Sequence, residues 1–332
     1  MQFYLAPMEE VTGYVYRNVY HALFDDIDRY FTPFITPTQK RVLKTRDRKE
    51  IAPENNQGIF VVPQILTNDA KQFTDTCGKL MELGYREVNL NLGCPSATVV
   101  KKAKGSGFLA DTGRLERFFE AVFRVLDKGQ EPFRVSVKTR IGVESPEEFE
   151  NILEIYNRYP LSEVIIHPRL QRDYYDNTPD LNVFSYALGK CGHPVCYNGD
   201  IFTKRQYEDF TDRFPAVERI MFGRGIVANP GLVREVKTGE RISKKELKEY
   251  HDRLYAGYRE ALGDGKDALF KMKELWSYLG KGVADGEKYL KKIRKADRPE
   301  EYASAVNQVF DNCDWNCNKS GRNGIFSEVD ER

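Results

Sequence analysis

No apolar run in this chain of 332 residues approaches the ~20 residues that cross a bilayer. Residues Met1 to Pro7 show no basic segment ahead of an apolar one, so no secretory leader is read there. The six cysteines (Cys77, Cys94, Cys191, Cys196, Cys313, Cys317) are scattered and form no disulfide framework, which points to a reducing compartment. Cys313 and Cys317 sit close together, but no second Cys or His pair accompanies them, and a structural zinc site needs four ligands. Charge of one sign is also missing. With 51 basic against 50 acidic residues the net charge is +1, and overall charge selects no polyanionic partner. No Gly-x-Gly-x-x-Gly fingerprint follows a strand, which excludes a resident Rossmann dinucleotide. A soluble cytoplasmic protein without metal is expected, and 41% hydrophobic and 12% aromatic residues suffice for a large core.

Short apolar runs alternate with longer amphipathic stretches about eight times. The runs are 3–8, 30–34, 59–65, 87–92, 133–138, 163–167, 194–198 and 218–222, with helical periodicity over 69–83, 115–126, 146–159 and 204–212 between them. This pattern predicts an α/β chain, a (β/α)8 TIM barrel over 1–240. Beyond about Ser243 the strand pattern ceases. Helical patterns over 244–262, 268–279, 287–295 and 299–309 predict a small C-terminal all-helical domain over 241–312, followed by a polar tail over 313–332.

In such a barrel the active site gathers at the C-terminal ends of the strands. Read in order, those ends carry Ala6-Pro7-Met8, Gln64, Asn91 with Cys94, Lys138 with Arg140, His167 with Arg169, Asn198-Gly199-Asp200 and Gly223-Arg224-Gly225. Each has a plain alternative. A cysteine is as a rule a small buried hydrophobe, a lone histidine a satisfied core residue, and Asn-Gly or Gly-Arg-Gly a turn. Gathered at one rim they read as a site, with Cys94 delivered into a turn between Gly93 and Pro95, and Gly223-Arg224-Gly225 suited to cradle a phosphate.

Ala6-Pro-Met8, Asn91-Leu-Gly-Cys94-Pro95, Gly105-Ser-Gly107, Val137-Lys-Thr-Arg140, Ile166-His167, Asn198-Gly-Asp200 and Gly223-Arg-Gly225, in this order and spacing over roughly residues 1–310, resemble the motif set of the dihydrouridine synthases. Those are flavin-dependent enzymes that reduce uridine in tRNA. The resemblance implies an FMN-binding barrel followed by a helical domain that grips RNA. It implies FMN ligands at Ala6, Pro7, Met8, Gln64, Lys138, His167, Asn198, Gly199, Asp200, Gly223 and Arg224, with Cys94 as proton donor and Asn91 against the uracil. NADPH or NADH would visit the flavin transiently. The chain departs from the family pattern at His167-Pro168-Arg169, where His-Gly-Arg is usual, and in the basic and aromatic stretch 170–175 that follows. Arg140, Arg169 and Tyr175 are expected near the substrate. Lys101, with Lys102 and Lys104, is expected on a mobile loop over the site, placed for an RNA backbone.

Residues 266–298 hold ten basic side chains against five acidic ones, in a chain whose total is +1. Lys288, Lys291 and Lys292 lie in this cluster beside Tyr289, a mixture that suits RNA phosphates and ribose faces. The alternative is a solvated helix face, and Trp276 is expected in the core. The partner is read as tRNA, with rRNA as an alternative and no obligate protein partner. A small-molecule flavin oxidoreductase, such as a dihydroorotate dehydrogenase or an ene-reductase, shares barrel and flavin but has no need of a basic helical appendage. An RNA-binding protein on a dead barrel would have no need of the flavin ligands or Cys94.

Overall fold

The computed structural model describes residues 1–127 and 133–315. Cys317 and the rest of the tail from residue 316 lie outside the described residues. The chain groups into two compact units. One comprises Met1–Pro7, Asp28–Gly199 and Ala216–Met221, and the other Met8–Ile27, Asp200–Pro215 and the chain from Phe222 on.

The first unit is built on β1 (Gln2–Leu5), β2 (Arg29–Phe31), β3 (Val61–Val62), β4 (Gln64–Ile65), β5 (Glu87–Leu92), β6 (Arg134–Thr139), β7 (Glu163–Ile166), β8 (Val195–Tyr197) and β9 (Arg219–Phe222). They form one parallel sheet in the order β3-β2-β1-β9-β8-β7-β6-β5-β4. The order begins and ends on one segment of chain, because Pro63 has no N–H to give and divides a single strand into β3 and β4. Its first half pairs with β2 and its second with β5, while the Pro63 carbonyl accepts from the Asn89 N–H at 2.9 Å. The eight apolar runs thus close into an eight-stranded barrel.

Period-two alternation decides what faces inward. Tyr4, Ala6, Phe31, Val62, Ile165, Cys196 and Met221 form a buried cluster drawn from the strand segments. Two residues toward the N-terminal side of Ile165 lies Glu163, and two toward the C-terminal side lies His167. Register pairs Glu87 with Arg134, Asn89 with Ser136 and Asn91 with Lys138 on the same inward rows. The interior therefore joins an apolar cluster to a polar stripe along β5 and β6.

The helices of this unit are α2 (Thr45–Ile51), α3 (Ala70–Glu82), α4 (Ala97–Val100), α5 (Thr112–Leu126), α6 (Glu148–Asn157) and α7 (Leu181–Lys190). Asp69 caps α3 by accepting from the Gln72 N–H, and Phe73, Thr76, Cys77 and Leu80 form its buried stripe. The reading of a helix over 115–126 starts three residues late, because Asp111 caps the Arg114 N–H and α5 begins at Thr112.

The second unit is helical: α1 (Tyr14–Phe24), α8 (Lys204–Arg213), α9 (Arg224–Ala228), α10 (Leu232–Thr238), α11 (Lys244–Leu262), α12 (Lys266–Leu279), α13 (Glu287–Lys295) and α14 (Pro299–Asn312). A Ser243–Glu246 capping box opens α11, whose buried stripe includes Leu247, Tyr250, His251, Leu254 and Tyr258. Helix α1, which no named helical pattern covers, has no side-chain cap and buries tyrosine and arginine on its inner face. Trp276 is a core residue as expected, its Nε1–H donating to the Tyr302 hydroxyl at 3.0 Å, which lies 2.7 Å from His251 Nε2. Among the described residues no helix is long and apolar enough to cross a membrane.

Candidate active site

The Cys94 turn is held from three directions within the first unit. Asn91 faces inward at the end of β5, and its Oδ1 accepts from the N–H groups of Gly93 at 3.0 Å and Cys94 at 2.9 Å. Its Nδ2 donates to Gln64 Oε1 at 2.7 Å, and Gln64 in turn donates to Asn89 Oδ1 at 2.8 Å. This amide chain across β4 and β5 fixes the strand end. On the far side, the Cys94 carbonyl accepts from the N–H and hydroxyl of Ser106, at 3.1 and 2.9 Å. Gly105 makes that approach possible: it sits at φ +57°, and a Cβ there would lie 2.7 Å from the Cys94 carbonyl oxygen. The Gly105-Ser-Gly107 motif is thus the floor of the cysteine turn. The thiol itself is half-buried.

Lys138 is the inward residue beside Asn91. Among the described residues its ammonium has no hydrogen bond or ion pair. Burial, and then the positive charge of Arg140, push its pKa down to about 8. A half-buried cation without a protein partner is a place where a ligand can supply the missing acceptor.

Arg140 and Arg169, both expected near the substrate, are enclosed, at 0% and 2% exposure. Arg140 spends its donors on the carbonyls of Gly93, Leu170 and Tyr174. Arg169 donates to the Asn177 carbonyl at 2.5 Å and to His167 Nε2 at 2.9 Å. An arginine can only donate, so His167 Nε2 accepts and its proton sits on Nδ1. Pro168, where the family usually has glycine, lies at the centre of a three-residue turn closed by the Arg169 N–H on the His167 carbonyl at 2.7 Å. Tyr175 is exposed, and its ring stacks on His167 at 5.9 Å.

Asn198 is buried and donates to the Met221 carbonyl at 2.7 Å. A Cβ at Gly199 would fall 1.9 Å from the Tyr197 hydroxyl, so only glycine fits. Ala6 belongs to the barrel core, and Pro7 is half-buried after it. Lys101 is exposed just beyond α4, and the loop expected to be mobile is tied down where Asn68 donates to the carbonyls of Lys102 and Ala103, at 2.9 and 2.8 Å.

In the second unit, the Met8 N–H donates to Thr12 Oγ1 at 2.7 Å. Gly223 caps the short α9, and the Arg224 guanidinium pairs with Asp200 and lies 5.7 Å from the Phe202 ring. Lys288, Lys291 and Lys292 all lie on the outer face of α13, opposite buried Leu290 and Ile293. Tyr289 is flanked by the ammonium groups of Lys288 at 4.6 Å and Lys292 at 5.8 Å, and Lys292 donates to Gln308 at 2.7 Å.

The family model for dihydrouridine synthases (Dus) matches residues 4–318. The chain belongs to the dihydrouridine synthase family. It is similar to the tRNA-dihydrouridine(16) synthase of Shigella flexneri, 26% identical over 93% of this chain and 98% of that one, and to that of Aquipseudomonas alcaligenes, 27% identical over 71% and 75%. A probable tRNA-dihydrouridine synthase of Staphylococcus aureus is 27% identical over 82% and 81%. Among solved structures, morphinone reductase superposes with a TM-score of 0.51 at 14% identity, covering 73% of this chain and 87% of that one, which shows the shared barrel fold.

As a member of this family the chain is an oxidoreductase, and three further residues lie against the candidate site that the sequence does not single out. Asn89 and Ser136 lie one inward row below Asn91 and Lys138, with Asn89 Nδ2 donating to Ser136 Oγ at 2.9 Å. Their signal was available, since polar residues at alternate positions of an otherwise apolar strand face the same side as the functional ones. Ser106 lay within a quoted motif, but its bond to Cys94 spans twelve residues and needs the fold.

Proposed function

We propose that this chain is a flavin-dependent, NAD(P)H-using enzyme that reduces the C5–C6 double bond of a uridine in tRNA, with FMN as its flavin. The unpaired Lys138 ammonium beside the braced Cys94 turn carries the reading, because the first asks for an anionic ligand and the second presents a thiol to it. The residues present fit FMN. Lys138, Gln64 and His167 would serve the ring, Ala6, Pro7 and Met8 its edge, and Asn198, Gly199, Asp200, Gly223 and Arg224 its phosphate and ribityl chain. When bound, FMN supplies the hydride that C6 of the uracil accepts.

The chain's own residues do the rest. Negative charge builds toward C5 and O4 as C6 is reduced, and a proton must reach C5. Cys94 Sγ holds that proton in this reading, and Asn91 keeps the thiol's peptide in place. Lys138 remains largely an ammonium at neutral pH, since about 8 is still above 7, and stabilises negative charge beside it. Tyr175 offers an exposed aromatic face to a base pulled out of the RNA stack. Lys101, with the helical part over 241–312 and its Lys288, Lys291 and Lys292, would meet RNA phosphates. The RNA would be bound without an obligate protein partner, and rRNA is the alternative substrate to be excluded by mapping dihydrouridine in both RNAs of a deletion strain.

Replacement of Cys94 tests the reading. Cys94→Ala should keep its flavin spectrum and its reduction by NADPH, while dihydrouridine formation falls by about 10²–10⁴-fold, the usual cost of a lost general acid. Near-normal single-turnover reduction of tRNA by this variant would overturn it.

A further inference from the structure

Two residues after Cys94, helix α4 begins, and it ends in a tight turn. There the Ala103 N–H donates to the Val100 carbonyl at 2.8 Å and the Lys104 N–H to the Val99 carbonyl at 3.2 Å. Helices that stop in this way place a glycine at the left-handed position, which here, at φ +47°, is Ala103. Its Cβ opposes that conformation, so the turn is strained by its own sequence. Asn68, at the start of α3, meets the turn from outside: its Nδ2 donates to the carbonyls of Lys102 at 2.9 Å and Ala103 at 2.8 Å, one amide hydrogen to each.

The same segment rests on the cysteine turn. A Cβ at Gly105 would lie 2.9 Å from Val99 Cγ1 and 3.1 Å from Cys94 Cβ, and one at Gly107 would lie 2.9 Å from Val100 Cα. Among the described residues, the only hydrogen bonds that tie residues 96–104 to chain outside 94–107 are the two from Asn68. We propose that Asn68 is a positioning residue, a latch that holds residues 96–104 against the Cys94 turn and so sets where the thiol stands, without itself touching RNA or flavin. The proposal rests on Cys94 as the proton donor.

Its test compares Asn68→Leu, Ala103→Gly and the double variant as full-length, flavin-loaded enzymes. Asn68 is only half-buried, and leucine keeps its size while removing both donors. In Asn68→Leu, trypsin cleavage after Lys101, Lys102 and Lys104 should quicken by about tenfold, the scale for two lost hydrogen bonds that are partly exposed. Cleavage elsewhere in the chain should keep its rate. The kcat for tRNA should fall by about 10- to 100-fold with little change in KM, as when a reacting group is displaced by part of an ångström to an ångström. Ala103→Gly relieves the strain of the turn, so in the double variant most of the lost protection and of the lost kcat should return.

An unchanged cleavage rate at the three lysines would overturn the proposal. Equal losses from Asn68→Leu in the parent and in the Ala103→Gly background would also overturn it, because the effect would then not pass through this turn. A raised KM for tRNA with kcat preserved would overturn it too and place Asn68 on the RNA. So would loss of flavin from Asn68→Leu, since a residue acting only on this segment leaves the cofactor in place. Failure of the Cys94 assignment is seen separately, as a near-normal Cys94→Ala enzyme, and the cleavage rates still decide whether Asn68 holds the segment.

Discussion

At the N-terminal end of the barrel interior, Arg29 reaches both oxygens of Glu87 at 2.9 and 3.1 Å, Arg134 approaches the same carboxylate at 3.3 Å, and Arg219 meets Glu163 at 3.2 Å. At the C-terminal end, Lys138 meets no carboxylate among the described residues, and Arg140 is held by carbonyls and the Tyr175 ring. Both ends take charge out of water. At one end the protein returns the lost solvation with ion pairs, and at the other it leaves a cation waiting. Paired charges there brace the barrel, while an unpaired one costs stability that only a ligand can restore. The same contrast recurs on α13. Arg294 pairs with Glu287 at 2.6 Å, whereas Lys288, Lys291, Lys292 and Lys295 enter no ion pair among the described residues.

Breaking the paired end should have the largest effect. Glu87→Gln strands Arg29 and Arg134 beside a neutral amide and should lower the unfolding free energy by about 3 kcal/mol, measured by urea denaturation. FMN affinity of the folded protein should hardly move. A weakened flavin with unchanged stability would reverse the roles assigned to the two ends.

Lys138→Met should do the opposite. Loss of a charge-assisted hydrogen bond of about 1.5–3 kcal/mol should weaken FMN by roughly 10- to 100-fold in a fluorescence titration. The flavin-free protein should be no less stable, because the ammonium is buried there at a cost. A destabilised flavin-free variant would mean that Lys138 has a protein partner after all.

The ends should also differ in pH dependence. Burial outweighs Arg29, Tyr4 and Arg219 in pushing the Glu163 carboxyl up to about 7, from 4.5. The folded state therefore binds more protons than the unfolded state between those values. This contribution is complete below about 4.5 and is lost as pH rises through 7. Lys138 runs the other way: its pKa near 8 lies below the unfolded value of 10.5, so its cost is present below 8 and fades as pH rises toward 10.5. Glu163→Gln should flatten the decline between pH 5 and 7.5 by about 2 kcal/mol in denaturation curves. An unchanged slope would show that its ion pair with Arg219 keeps the carboxylate charged.

The smallest effect is expected on α13. Neutralising Lys288, Lys291, Lys292 and Lys295 should raise the KM for tRNA and flatten its salt dependence, by about 0.7–0.9 in the log–log slope for each phosphate that the helix no longer neutralises. Flavin content should stay constant. An unaltered slope would return this face to plain solvation.

Much of the frame could be read directly. Glu87–Leu92 declares itself a strand by its apolar alternation, and the same alternation sends Asn89 and Asn91 to one side, so a rim of polar strand ends follows from period two alone. Capping residues such as Asp69 and Ser243 mark helix starts for the same local reason. Arg140 shows where this legibility stops. In the sequence it is a cation next to a site, with nothing to tell a substrate ligand from a brace. The carbonyls that claim it lie 47, 30 and 34 residues away. Glu87 likewise reads as a strand-edge acid until Arg29, 58 residues earlier, and Arg134 close over it.

Local propensity and periodicity act through the backbone over one or two turns, so the chain by itself determined its strands, most of its helices and the inward row that carries the polar strand ends. Which charge is paired, which cation is left without a partner and which carbonyl an arginine takes depend on distances between segments far apart in sequence. Closure of the barrel, through the division of one strand at Pro63, was needed to set those distances.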